Sequence, residues 1–213
     1  MDFDVFEFPW MHGFSENFIN KNFAKRIEKE FPSWDCDIWD KYGKVFDTPN
    51  GFKKMLTNQS VMPKSISKFI DELKSRSFIA LLEQKIGIPK LIFDEELYGG
   101  GLFIHPKGSF LNTHIDFNFN NDIKLYRAIN LLFYANLDFE GGEFVMYNTN
   151  LDKQKSISPK LNTCILFPTT NHTYHGVNKI KKGYRKLISI WFYTKKPINN
   201  VSENPHRTIW VKN

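Results

Sequence analysis

A chain of 213 residues suits one domain, or one domain with a helical annex, and can bury a substantial core. Hydrophobic residues at 41%, charged residues at 24% and the lack of any apolar run near 18 residues describe a globular chain without a helical membrane span. The net charge of +6 comes from scattered lysines rather than one tract, so nucleic acid is not the expected partner, while a weakly acidic substrate fits.

Residues 15–31 are predicted to be helical. Ser15 can cap, Phe18, Ile19, Phe23 and Ile27 recur at three- and four-residue steps, and Pro32 ends the run. Residues 33–62, with Trp34, Trp39 and Pro49-Asn50-Gly51, are less periodic and read as an irregular connection. A second helical stretch runs from about Ser65 to Lys85. Ile66, Phe69, Ile70 and Leu73 make one apolar face, Phe78, Leu81, Leu82 and Ile86 another, and Gly87 supplies the stop. After Leu97 the texture changes. Gly99-Gly100-Gly101 opens short β-type runs at 102–105, 109–115, 126–136, 143–148, 163–167, 173–177, 185–194 and 207–212. The expected architecture is mainly β with N-terminal helices: a helical layer (1–97) buttressing a sandwich, barrel or jelly roll (98–213), together one domain.

The chemistry concentrates in the β half. His114 and Asp116 end a predicted strand two residues apart, so both point to one face. His175 lies in the run Thr173-Tyr174-His175-Gly176-Val177 and can approach from across the sandwich. Two imidazoles and one carboxylate suit a ferrous ion with open positions. Downstream, alternation puts Arg185, Leu187, Ser189 and Trp191 on one inward face, where a charged residue needs a partner. A dicarboxylate such as 2-oxoglutarate would supply it through a bidentate contact, with Ser189 adding a hydrogen bond; a structural ion pair with a core carboxylate is the plainer alternative. His172 has the wrong parity, His105 matters only if its strand lines the pocket, and His12 and His206 read as surface or packing residues.

With these residues in place, the chain resembles the Fe(II)/2-oxoglutarate-dependent oxygenases, in particular their prolyl 4-hydroxylase-like branch. The resemblance rests on Gly99-Gly100-Gly101-Leu102, on Gly108 through His114-Ile115-Asp116 to Asn118, on Tyr126 through Tyr134 to Asn136, on Gly141-Gly142-Glu143-Phe144, and on Tyr174-His175-Gly176-Val177 through Arg185 to Thr194. It spans about residues 98–194. It implies a double-stranded β-helix, or jelly roll, with His114, Asp116 and His175 as catalytic iron ligands. It implies Arg185 and Tyr134 on the far carboxylate of the co-substrate, Ser189 where a hydroxyl assists, and Trp191 as a wall. His105-Pro106 stands where prolyl hydroxylases carry Tyr-Pro, so His105 is a candidate co-substrate neighbour and the proline substrate is left open.

The implied reaction is hydroxylation of a C–H bond, in peptidyl proline, an amino acid or a small molecule, with 2-oxoglutarate and O2 consumed and succinate and CO2 released. Fe(II) is the implied metal, with ascorbate a candidate reductant. Cys36 and Cys164 make no disulfide framework, and the acidic start Met1-Asp2-Phe3-Asp4 is no leader, so a reducing cytoplasm, which keeps iron ferrous, is the expected location. Three rivals stand beside this reading: a cupin-like isomerase or epimerase, a non-catalytic jelly-roll module binding carbohydrate or protein, and a nucleic-acid demethylase of the same superfamily. Segments 33–62, 117–125 and 149–160 are expected to shape the pocket mouth, with Asn118, Asn120, Asn121 and Asp122 as a polar loop beside the ligands.

Overall fold

Strands and helices are interleaved in the first hundred residues, where a helical block was expected. The computed structural model describes residues 1–48, 51–199, 201 and 204–211. The chain opens with β1 (Asp4–Phe6), β2 (His12–Ser15), α1 (Lys21–Glu30), α2 (Ile38–Tyr42), β3 (Lys44–Thr48), β4 (Gly51–Leu56), α3 (Lys64–Leu73), α4 (Arg76–Ile86) and β5 (Ile92–Phe93). It continues through β6 (Gly101–Pro106), β7 (Leu111–Ile115), β8 (Phe119–Asn120), β9 (Leu125–Tyr134), β10 (Phe139–Gly141) and β11 (Phe144–Tyr147). The last elements are β12 (Lys153–Ile157), β13 (Cys164–Pro168), β14 (His175–Val177), β15 (Ile180–Thr194) and β16 (Ile209–Trp210).

The differences from the sequence reading have local causes. Helix α1 begins after Asn20, whose side chain accepts from the Asn22 and Phe23 amides, and not at Ser15, which ends β2 opposite Cys164. Phe18 and Ile19 are buried outside the helix, because Asn162 accepts from both their amides and donates to the Ile19 carbonyl. The stretch 65–85 is two helices: Ser75 Oγ accepts from the Phe78 amide and caps a new start, which accounts for the two apolar faces. Gly87, at φ 74°, closes α4 in the left-handed region as expected. The supposedly irregular segment 33–62 holds α2 and the β3–β4 hairpin. Strand β3 is largely exposed on both faces, so it carries no alternation to read. The Pro49-Asn50 part of that turn signal and the end of the 207–212 run lie outside the described residues.

All pairings among the described strands are antiparallel and fall into two sheets. The larger runs β1-β2-β13-β9-β15-β6-β4-β3, with β5 and β10 also on β15 and β8 on β9. The smaller runs β12-β11-β14-β7-β16. This mainly β pair of sheets is consistent with the expected jelly roll. Ile129, Leu131 and Phe133 of β9 and Ile188, Ile190 and Phe192 of β15 join the helical residues Ile66, Phe69, Ile70, Phe78 and Leu82 in one core. The opposite parity, Leu132, Tyr134 and Leu187, packs with Phe144, Met146 and Ile157 of the smaller sheet. The central strands are thus covered on both faces, which is why β9 and β15 read as nearly unbroken apolar runs.

The helical contact to the large sheet is a measurable part of stability. Phe69 is 0% exposed, and its ring centroid lies 4.6 Å from that of Phe133. Phe69→Ala should cost about 3–5 kcal/mol in urea denaturation. A loss under about 1 kcal/mol would mean that the site collapses around the deletion or that the contact is not made.

Candidate active site

The smaller sheet brings the three expected ligands together. Strand β14 pairs with β7 so that His175 faces His114 directly, with ring centroids 4.3 Å apart. Asp116 follows two residues after His114. Its Oδ1 lies 3.5 Å from His114 Nε2 and its Oδ2 3.5 Å from His175 Nε2. One donor atom from each of the three lies within 4.8 Å of the others. The β7–β14 ladder has a bulge between His175 and Val177. Gly176 permits it, because a Cβ there would sit 2.9 Å from the Leu111 carbonyl oxygen.

The ring nitrogens are sorted by their neighbours. His114 Nδ1 donates to the Asn112 carbonyl at 2.8 Å and His175 Nδ1 to the Thr173 carbonyl at 2.9 Å. A carbonyl only accepts, so the proton sits on Nδ1 and each Nε2 lone pair faces the centre. Asn130 Nδ2 donates to Asp116 Oδ2 at 3.3 Å, and Ser189 Oγ donates to Asn130 Oδ1 at 3.3 Å. Trp210 packs on His114 at 4.7 Å, and Phe144 stacks on His175 at 5.4 Å. Two nitrogens and one carboxylate, oriented and walled by rings, fit a divalent transition metal that keeps other positions open.

Beside this cluster a pocket of about 350 Å³ is lined from both sheets. Arg185, Leu187, Ser189 and Trp191 all reach it, as their alternation predicts. Arg185 is 2% exposed; its Nη2 donates to the Tyr134 hydroxyl at 3.2 Å, and its Nε is buried without a partner. His105 pairs across β6–β15 with Arg185, lines the pocket, and has a buried Nδ1 without a partner. Ser189 is engaged by Asn130, so in this structure its hydroxyl supports Asp116 through that amide. Trp191 donates to the Gly99 carbonyl and lies 3.4 Å from the Arg127 guanidinium carbon. Segment 149–160, expected at the mouth, contributes nothing to the pocket lining; Thr208 and Trp210 of the C-terminal segment do. His12 is fully buried, a packing residue between Phe6 and Trp10, and His172 is exposed, pointing away as its parity requires. Of the polar loop, Asn118 is buried and ties the C-terminal segment through the Asn204 carbonyl and His206 amide, while Asn120 is a turn acceptor for Asp122.

Sequence reasoning missed Arg127, Lys53 and Asn130. Arg127 is 1% exposed and sandwiched between Phe117 and Trp191, and its Nη2 donates to the Tyr98 carbonyl. By simple alternation with Leu131 and Phe133 it should face the helices. The β9–β15 ladder shifts register between Phe192 and Tyr193, and that irregularity turns Arg127 to the pocket side. Lys53 sits on β4, inside the segment that read as irregular. The available signal for Arg127 and Asn130 was a charge and an amide inside an otherwise apolar strand.

Burial dominates the electrostatics. It would raise the Asp116 pKa, yet His175, His114 and Arg127 outweigh it and hold the carboxyl well below the usual range. Burial, with His114 beside it, pushes His175 down to about 4. Both directions favour a carboxylate next to a neutral imidazole near pH 7, the state a metal requires. Burial, then Arg185 and Lys53, keeps His105 neutral. Arg127 is pushed down to about 10 by burial and stays cationic. Asp94 behind it is pushed up to about 6 by burial, against the Tyr193 hydroxyl and Arg127.

Residues 100–193 match the family profile of the 2OG-Fe(II) oxygenase superfamily. Over 70 residues, 32% of this chain, the sequence is 39% identical to prolyl 3-hydroxylase 2 of Homo sapiens and 37% identical to that of Gallus gallus. The matched stretch is 10% of those proteins, so the chain spans only a small part of their length. In solved structures, a Pseudomonas putida prolyl-4-hydroxylase superposes with TM-score 0.63 at 14% identity, covering 85% of this chain and 91% of that one. A Trichoplax adhaerens prolyl hydroxylase, in complex with a peptide fragment of the hypoxia inducible factor oxygen degradation domain, gives 0.62 at 16% identity, covering 85% and 83%. At these identities the structural likeness is one of fold.

The burial of His175 sets an acid limb for the metal-free protein. The unfolded chain takes up a proton at this position below about pH 6.5, whereas the folded one does not until about 4. Stability therefore falls as pH drops through that window, by about 1.4 kcal/mol per unit from this residue. Urea denaturation from pH 7 to 4 should show this loss in the wild type and a flatter profile in His175→Gln. Equal slopes in the two proteins would contradict it.

Proposed function

We propose that, through residues 100–193, the chain belongs to the 2OG-Fe(II) oxygenase superfamily on its prolyl-hydroxylase-like branch, and that it hydroxylates a C–H bond of an organic substrate, consuming 2-oxoglutarate and O2 and releasing succinate and CO2. The observation that carries the reading is the meeting of two Nε2 atoms and one carboxylate beside a buried guanidinium that has a tyrosine partner and an unpaired Nε.

In this reading His114, Asp116 and His175 hold Fe(II), which supplies the oxidising chemistry when bound with O2. The chain's own part is orientation and exclusion of water. Backbone carbonyls fix both imidazole tautomers, and Asn130 fixes the Asp116 carboxylate. Arg185 and Tyr134 take the far carboxylate of 2-oxoglutarate, the guanidinium as a fork and the hydroxyl as a third donor. His105, neutral and with a free Nδ1, offers one more hydrogen bond from the neighbouring strand. Phe144, Trp210 and Trp191 shut off bulk water around the reacting centre. Such an enzyme takes an amino-acid, peptide or small-molecule substrate. The buried Arg185–Tyr134 pair favours this over a cupin-like isomerase, which has no need of a carboxylate anchor there.

His114→Ala and Asp116→Ala should each abolish succinate formation that depends on iron and 2-oxoglutarate. Anaerobic addition of Fe(II) and 2-oxoglutarate should give the visible charge-transfer band of the chelate in wild type and not in these variants. Full turnover by Asp116→Ala would end the assignment. Arg185→Ala should keep the ligand set but raise the 2-oxoglutarate requirement roughly thirtyfold or more, since one partner of a buried charge pair is removed. Titration of the same band measures it, and an unchanged requirement would place the co-substrate elsewhere.

A further inference from the structure

One cation in the pocket has no counterpart. The pairings Lys54↔Ile104 and Arg185↔His105 set Lys53, His105 and Arg185 in one row across β4, β6 and β15. Lys54 points the other way, donating to the Trp34 carbonyl at 3.1 Å and pairing with Asp40 at 3.7 Å. Lys53 instead lies along the pocket wall, its Nζ 4.3 Å from the Phe103 ring centroid and 5.5 Å from that of Phe46. Among the described residues no carboxylate is within ion-pair distance of it. Burial pushes its pKa down to about 8, with Asp116 opposing and Arg185 and Arg127 adding to the fall.

The other charges balance. Arg127 is backed by Asp94, onto which the Tyr193 hydroxyl donates at 3.1 Å. A ferrous ion, Asp116, the 2-oxoglutarate dianion and Arg185 together carry no net charge. One ammonium group remains, half-buried on the pocket wall beside His105 and with no carboxylate assigned to it. An unpaired buried charge is costly, and a ligand of opposite sign relieves that cost. Resting on the hydroxylase reading above, we infer that Lys53 is a specificity-determining residue and that the primary substrate presents a carboxylate to it. The carboxylate belongs either to a free amino acid or to an acidic side chain.

The test uses the whole 213-residue chain loaded with Mn(II) and one equivalent of 2-oxoglutarate, which binds without turnover. Two probe pairs are added, L-proline with L-prolinamide and N-acetyl-aspartyl amide with N-acetyl-asparaginyl amide. Paramagnetic broadening of the probe protons reports occupancy near the metal. In wild type the acid of at least one pair should be broadened about fivefold or more beyond its amide, and which pair responds tells a free amino acid from an acidic side chain. Lys53→Met keeps the buried stem and should erase the difference; Lys53→Arg should retain it; both should bind 2-oxoglutarate within about threefold of wild type. Equal broadening of acids and amides in wild type, or an acid preference surviving in Lys53→Met, overturns the inference. A Lys53→Met loss of 2-oxoglutarate as large as that of Arg185→Ala also overturns it, by making Lys53 a co-substrate anchor. Failure of wild type to bind 2-oxoglutarate at all ends the hydroxylase reading, and this inference with it.

Discussion

Strands β9 and β15 carry opposite chemistries on their two faces, and the site depends on that division. Ile129, Leu131, Phe133, Ile188, Ile190 and Phe192 are all 0% exposed on the face toward the helices. Each such side chain contributes about 1.5–3 kcal/mol on burial. A few of them outweigh the penalty of one imperfectly paired cation. The inner face can therefore hold Asn130, Tyr134, Arg185 and Ser189, and hold them still, because the backbone between the two faces is pinned by packing that has no part in the chemistry.

The metal half is built on the opposite plan. The smaller sheet turns the candidate ligands and aromatic rings inward beside Met146 and Ile157. His114 and His175 are cross-strand partners, so one ladder contact sets their separation. Trp210 and Phe144 press on the two imidazoles from either side. Rigidity here comes from hydrogen bonds to carbonyls and from aromatic packing. A lone pair directed into the pocket is retained because the opposite ring nitrogen is committed elsewhere.

Much of this was legible in the sequence, for a physical reason. Strands covered on both faces read as nearly unbroken apolar runs, in which a polar residue stands out and its parity gives its face, so the runs from residue 102 onward, the His114–Asp116 pair and the Arg185–Trp191 face could be read directly. Legibility failed where alternation is interrupted. The irregularity in the β9–β15 ladder hid Arg127, and the exposure of β3 hid the β3–β4 hairpin that carries Lys53. Helix α1 was misplaced because Phe18 and Ile19 keep an apolar spacing while their amides are satisfied by Asn162, more than a hundred residues away. No local pattern encodes that partner. Ser75 did carry a local signal, a cap, but the continuing apolar spacing on both sides masked it.

The opposed histidines have a consequence for how this chain tolerates change in length. Strand β14 has three residues, and its pairing with β7 already absorbs one irregularity at Gly176. A one-residue deletion or insertion between Leu111 and His114 would turn every later side chain of β7, and Asp116 after it, to the other face. The carboxylate and one imidazole would then leave the cluster together, while the helices and the large sheet kept their packing. Segment 149–160 lines no part of the pocket, and a change of length confined to its turn before β12 should leave the β11–β12 and β7–β14 pairings in register. The two-residue step from His114 to Asp116 and the cross-strand pairing of His175 are thus what a change in chain length at this point would disturb first.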